Sequence, residues 1–131
     1  MIGIDTNVLL RLLLDDDAAQ GARLDAWLST LPAAAGQVHV ADVVLAEASW
    51  TLASVYRQPK PELLKALRAL LAEPMFAFEQ RAALQAAVDA FESAGCAFAD
   101  CLIVAKHQAL HCASTVSFDQ RLGRLAGVSL L

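Results

Sequence analysis

The sequence has no excess of basic residues. Ten Lys and Arg stand against fourteen Asp and Glu, for a formal net charge of −4 at pH 7. A protein that passively coats nucleic acid is normally basic, so this balance argues against that class. It does not argue against a metal-using enzyme, because acids gathered in one site lower the net charge while the rim stays basic. Cysteine is also scarce, and its count of three (Cys96, Cys101 and Cys112) is odd. With no secretory segment in evidence, that favours reduced thiols in a reducing compartment. The first residues lack a basic n-region, and the apolar run over 1–14 is interrupted by Asp5 and Arg11. No apolar stretch approaches the roughly 20 residues of a membrane helix. We therefore expect a cytoplasmic protein with no membrane partner. There is no internal repeat, low-complexity tract or linker. The 131 residues are read as one domain, 1–131, long enough to bury a core without disulfides or structural metal.

Hydrophobic residues make up 57% of the chain, above the usual range, and the surplus is mostly Ala and Leu. Helices should dominate. The surplus fits either apolar surface kept for a partner or a tightly packed monomer. Read in order, Ile2-Gly3-Ile4 is a short strand that ends at Asp5, and a helix follows at once from Thr6 or Asn7 to Leu14. Asp15-Asp16-Asp17 ends it, since acids at a helix C-terminus oppose the dipole. Asp17 is placed to cap a second helix reaching about Leu31, with Gln20 three residues on. Strands are expected over 37–40, 75–78 and 114–116, with a last edge strand over 128–130. Between them lie a long helix capped by Asp42 and running to about Arg57, then helices over 62–72, 79–93 and 97–110. Gly95 is placed for a C-terminal cap, and a short helix should cover 118–125. Short strands alternating with helices imply a parallel sheet covered on both faces, an α/β fold.

The acids are the informative residues. Asp5 and Asp119 each follow a strand, at the sheet edge where α/β folds bind ligands. Glu47 has Val43, Val44, Trp50 and Thr51 as its helical neighbours, so it should point to the interior or a cleft. Asp100 has Cys96, Ala97, Ile103 and Val104, and a lone carboxylate buried there is costly. In a parallel sheet, strand ends and the following helix starts share one edge, so the four acids are expected to meet. Each also has an ordinary alternative: Asp5, Asp100 and Asp119 as helix caps, Glu47 as partner to an arginine. Clustered carboxylates call for a hard divalent cation, Mg²⁺ or Mn²⁺. Such an ion can activate water against a phosphodiester.

Taken together, Ile4-Asp5-Thr6-Asn7, Glu47 in Leu45-Ala46-Glu47-Ala48, Asp100 in Phe98-Ala99-Asp100-Cys101-Leu102-Ile103, and Ser117-Phe118-Asp119 resemble a PIN domain, in particular the small VapC-type toxins. The resemblance runs over nearly the whole chain in order and spacing. It implies a three-layer α/β/α fold with a central, mainly parallel sheet of four or five strands, the first strand central. It also implies a Mg²⁺- or Mn²⁺-dependent ribonuclease, a homodimer, and neutralisation by a small cognate antitoxin. Asp5, Glu47, Asp100 and Asp119 match the family's acidic quartet. Thr6, Asn7 and Ser117 match the small polar positions that hold the first acid and solvent in place.

Other residues are weighed against that reading. Arg11, Arg121 and Arg124 lie one or two helical turns from Asp5 and Asp119 and are candidate phosphate contacts. His107 and His111, with Cys101 and Cys112 nearby, invite a zinc reading. However, His107 lies roughly 10 Å along the helix from Asp100, and the cysteine spacings miss those of zinc modules. Trp27, Trp50, Phe76 and Phe78 are expected in the core. A phosphatase that forms an aspartyl phosphate needs a second Asp where the chain has Asn7. A receiver domain needs adjacent acids after the first strand, where Thr6 follows Asp5. A catalytically retired binding module is the remaining alternative.

Overall fold

Asp5 ends the first strand because its carboxylate turns the chain into a helix. In the computed structural model, which describes residues 1–131, the Asp5 Oδ1 atom accepts the Val8 N–H at 3.0 Å. The strand is β1, Ile2–Gly3, and the helix is α1, Thr6–Leu13. The same local chemistry starts α2, Ala18–Leu28, where Asp17 Oδ1 accepts the Gln20 N–H at 2.9 Å. Next come β2 (Val38–Val40), α3 (Asp42–Ser54), α4 (Lys60–Ala72) and β3 (Phe76–Phe78). Asp42 is not the cap of α3 but its first residue. Ala41 holds the cap position, and the Asp42 N–H donates to the Glu79 carboxylate. α3 ends at Ser54, short of the expected Arg57, and the prolines that follow begin α4. Pro59 sits at the cap and Pro61 in the first turn, where a missing N–H removes no helical bond.

These elements form the first of two compact units, Met1–Glu79 and Gln80–Leu131. Its sheet is parallel, in the order β1-β2-β3, with Ile2 opposite Val38 and Val38 opposite Phe76. The central strand is therefore β2, with Val38 and Val40 both 0% exposed. The expectation of a central first strand is corrected. β1 is two residues long, pairs only with β2, and is exposed. Leu9, Leu45, Leu52, Leu63 and Leu67 share one interior seam between α1, α3 and α4.

The second unit contains α5 (Arg81–Ser93), α6 (Phe98–Ala109), β4 (Thr115–Ser117), a 3-10 turn (Leu122–Arg124) and β5 (Val128–Leu130). α5 buries Leu84, Ala87, Val88 and Phe91, and α6 buries Phe98, Cys101, Leu102 and Val104. Phe91 and Phe98 meet edge to face, with ring centroids 5.9 Å apart. β4 and β5 are parallel, Thr115 opposite Val128. Gly127 adopts φ +83, and a Cβ there would stand 2.8 Å from the Gln108 side-chain nitrogen. The positive φ favours glycine, while the contact is with the tip of a flexible side chain that can move aside.

The result is an α/β fold of six helices and five strands, every pairing parallel, consistent with a PIN-like α/β/α arrangement. The strands form ladders of three and two, where one sheet of four or five was expected. Other departures have local causes. Over 118–125 only the 3-10 turn forms, because the Asp119 carboxylate takes the N–H groups of Arg121 and Leu122 into a tight turn. α5 ends in extended backbone at Ala94, without a left-handed Gly95. Trp50 is 67% exposed, and Trp27 and Phe78 are half-buried, leaving Phe76 as the buried one of the four expected in the core. The apolar residues of α3 are not confined to one face. The helix buries the face carrying Val44, Leu45, Ala48 and Leu52, which turns Trp50 outward. No helix is long and apolar enough to cross a membrane.

Candidate active site

In the first unit, Asp5 is exposed at the carboxyl end of β1. One carboxylate oxygen holds the Val8 N–H; the other has no hydrogen-bond partner. Thr6 and Asn7 open α1 but donate nothing to Asp5, whose carboxylate is oriented by the backbone of Val8. The acid stands on the wall of a cleft of about 660 Å³, lined also by Asn7, Arg11, Arg23, Leu24 and Trp27. Glu47 is exposed on α3, neither interior nor paired with an arginine. It lies on the helix face opposite the buried stripe, beside the exposed Val43 and Trp50.

Arg11 is committed elsewhere. It pairs with Asp16 at 2.7 Å and donates to the Tyr56 hydroxyl at 3.1 Å. The Tyr56 hydrogen bond, supported by the charge of Asp16, raises its pKa above the ordinary arginine value despite the opposing effect of burial. Its Nε is buried without a partner. The exposed cation on the cleft wall is Arg23, which sequence reasoning missed. The signal was present: Gln20, Arg23, Leu24 and Trp27 share one face of α2 at helical spacing.

In the second unit, Asp100 is half-buried in the first turn of α6, where the helix dipole favours negative charge. Its carboxylate has no hydrogen-bond partner, so the sequence-based expectation of a fully buried acid is replaced by a partly solvated one. Asp119 is exposed just beyond β4. Its Oδ1 accepts the Arg121 N–H at 2.8 Å and the Leu122 N–H at 3.3 Å, while the Ser117 hydroxyl accepts the Asp119 N–H at 2.9 Å. Ser117 thus fixes the backbone of the last acid. Arg121 and Arg124 are exposed on the turn that follows.

His107 is structural. Its Nδ1 lies 2.8 Å from the Thr115 hydroxyl, tying α6 to β4, and no three His, Cys, Asp or Glu side chains gather closely enough to hold a metal ion. Asp5 and Glu47 belong to the first unit, Asp100 and Asp119 to the second.

A family model for the PIN domain matches residues 2–128. The chain belongs to the PIN domain family. Comparison with curated proteins and with solved structures returned no match. PIN domains are as a rule nucleases that bind RNA and use divalent metal ions. The donor chemistry of this PIN domain suits such an ion. Asp5 and Asp119 each keep one oxygen uncommitted, and the carboxylates of Glu47 and Asp100 are unbonded. Carboxylate oxygens are the ligands that Mg²⁺ and Mn²⁺ prefer.

Proposed function

We propose that this PIN domain is a Mg²⁺- or Mn²⁺-dependent endoribonuclease that hydrolyses RNA phosphodiester bonds. The observation that carries this reading is the pair of acids at strand ends. Asp5 and Asp119 are each held by backbone N–H groups through one oxygen and present the other to solvent. By the resemblance to the family's acidic quartet, these two acids with Asp100 and Glu47 are the residues that would hold the cation. A bound divalent ion would supply an activated water and neutralise phosphate charge. The chain's own contribution is to fix the ligand oxygens and to lead RNA to them. Arg23 on the Asp5 cleft, with Arg121 and Arg124 beyond Asp119, provides cations for the phosphate backbone. Thr6 and Asn7 lie beside Asp5, where they can orient solvent.

The resemblance to VapC-type sequences supports a narrower role, the toxin of a toxin–antitoxin pair. Such a protein would work in the cytoplasm as a homodimer and be silenced by a small antitoxin protein. Exposed Val43 and Trp50, at 63% and 67%, offer apolar surface for such a partner. A retired binding module is the second reading, favoured by the lack of a ready-made metal cluster. Purified protein incubated with RNA separates the two. Cleavage that requires Mg²⁺ or Mn²⁺ and stops with EDTA is expected. RNA binding without cleavage under any divalent ion would establish the retired module instead.

A further inference from the structure

Cys96 and Cys101 take no part in the nuclease chemistry, yet they face each other. Their sulfurs are 3.7 Å apart, and both thiols are reduced. Cys101 is 1% exposed, inside the first turns of α6. Cys96 is 9% exposed, in the connection between α5 and α6. We propose that they form a dithiol modification site, closing to an intramolecular disulfide on reaction with a low-molecular-weight disulfide such as oxidised glutathione. Disulfides in reducing compartments are usually transient and redox-sensing, the class to which such a bridge would belong.

The chemistry proceeds in two exchanges. The Cys96 sulfur, the more accessible, attacks the reagent's S–S bond. A mixed disulfide forms, and one reagent thiol leaves with the Cys96 proton. The Cys101 sulfur then attacks the Cys96 sulfur, and the second reagent thiol leaves with the Cys101 proton. The protein pair is oxidised by two electrons and the reagent is reduced to two thiols. The sulfurs must approach by roughly 1.7 Å to reach bonding distance. In the proposed closure the connection at 94–97 is the part that shifts: Gly95 is exposed, and even an added Cβ there would touch nothing within 4 Å. Cys101 is held by the helix and its buried face. Closure therefore pulls the connection onto the first turn of α6, which carries Asp100. The effect on cleavage rests on the nuclease reading; the bridge itself does not.

The test uses folded Cys112→Ser protein, which removes the one exposed thiol. After incubation with oxidised glutathione, both remaining thiols should disappear with no glutathione retained in the mass. One peptide pair linked through 96 and 101 should appear, and a dithiol reductant should reverse the change. In the added variant Cys101→Ala the reaction should stop at one glutathione adduct. RNA cleavage should fall on the order of tenfold to a hundredfold on bridging, the loss expected when a site group is displaced by about 1 Å, and recover on reduction. Two thiols that persist in folded protein, or a product that stops at the adduct with Cys101 present, would overturn the dithiol site. A bridge formed with cleavage unchanged would overturn its link to α6. If the reduced protein cleaves no RNA, the nuclease reading fails while the thiol count still decides the bridge.

Discussion

Asp5 caps a helix and is also the proposed metal ligand, and two substitutions separate the two roles. The carboxylate caps α1 through the Val8 N–H at 3.0 Å, and its other oxygen is the proposed metal ligand. Asn is as good an N-cap as Asp, so Asp5→Asn keeps the hydrogen bond and removes the charge. At this exposed helix start the lost charge–dipole attraction is worth about 0.3 kcal/mol, the low end of its range. Asp5→Ala removes the cap as well, at a further cost of about 1 kcal/mol. Urea unfolding should therefore place Asp5→Asn close to wild type and Asp5→Ala lower by roughly 1.3 kcal/mol, with m unchanged. Cleavage should behave differently. Both variants should lose it to the same extent, by more than the roughly 10- to 100-fold typical of changes outside a metal's direct ligands. Equal stability losses in the two variants would refute the capping account. An Asp5→Asn protein that folds normally and cleaves at the wild-type rate with Mg²⁺ would refute the ligand assignment.

Two further predictions follow from contacts away from the acids. His107→Ala removes the partner of the buried Thr115 hydroxyl, so it should cost about 1–3 kcal/mol. Adding Thr115→Val should recover part of that loss in a double-mutant cycle, and metal content should be unchanged; a loss of bound zinc would show that the histidine is a ligand. Arg11 is neutralised by Asp16 whereas Arg23 is not, so Arg23→Ala should lower the salt dependence of RNA binding by about one counterion. Arg11→Ala should leave that slope alone and reduce stability; the opposite pattern would place the phosphate contact at Arg11.

Much of the local structure was legible from the sequence because its causes span only a few residues. Asp5 and Asp17 announce helix starts by placing an acceptor three residues before an open N–H, and both make that bond. The ordered acid motifs identified the PIN family, whose match covers residues 2–128. Partnership between distant segments was not legible. Which edge of β1 is paired depends on where β2 lies, so the first strand reads as central and is found at an edge. The apolar residues of α3 are spread round the helix, so its periodicity cannot say which face is buried; packing against the core chose Leu45 and Leu52 and left Glu47 and Trp50 outside. That Arg11 is engaged inside the fold was not legible for the same reason, since Tyr56 reaches it from 45 positions away. The sequence by itself determined most of the elements, the caps at Asp5 and Asp17, and the motifs that resemble the family. Only the tertiary structure decided which charges are neutralised, which faces meet water, and that two cysteines lie 3.7 Å apart. Capping and periodicity act over one turn of chain, whereas burial and pairing depend on what the rest of the fold brings alongside.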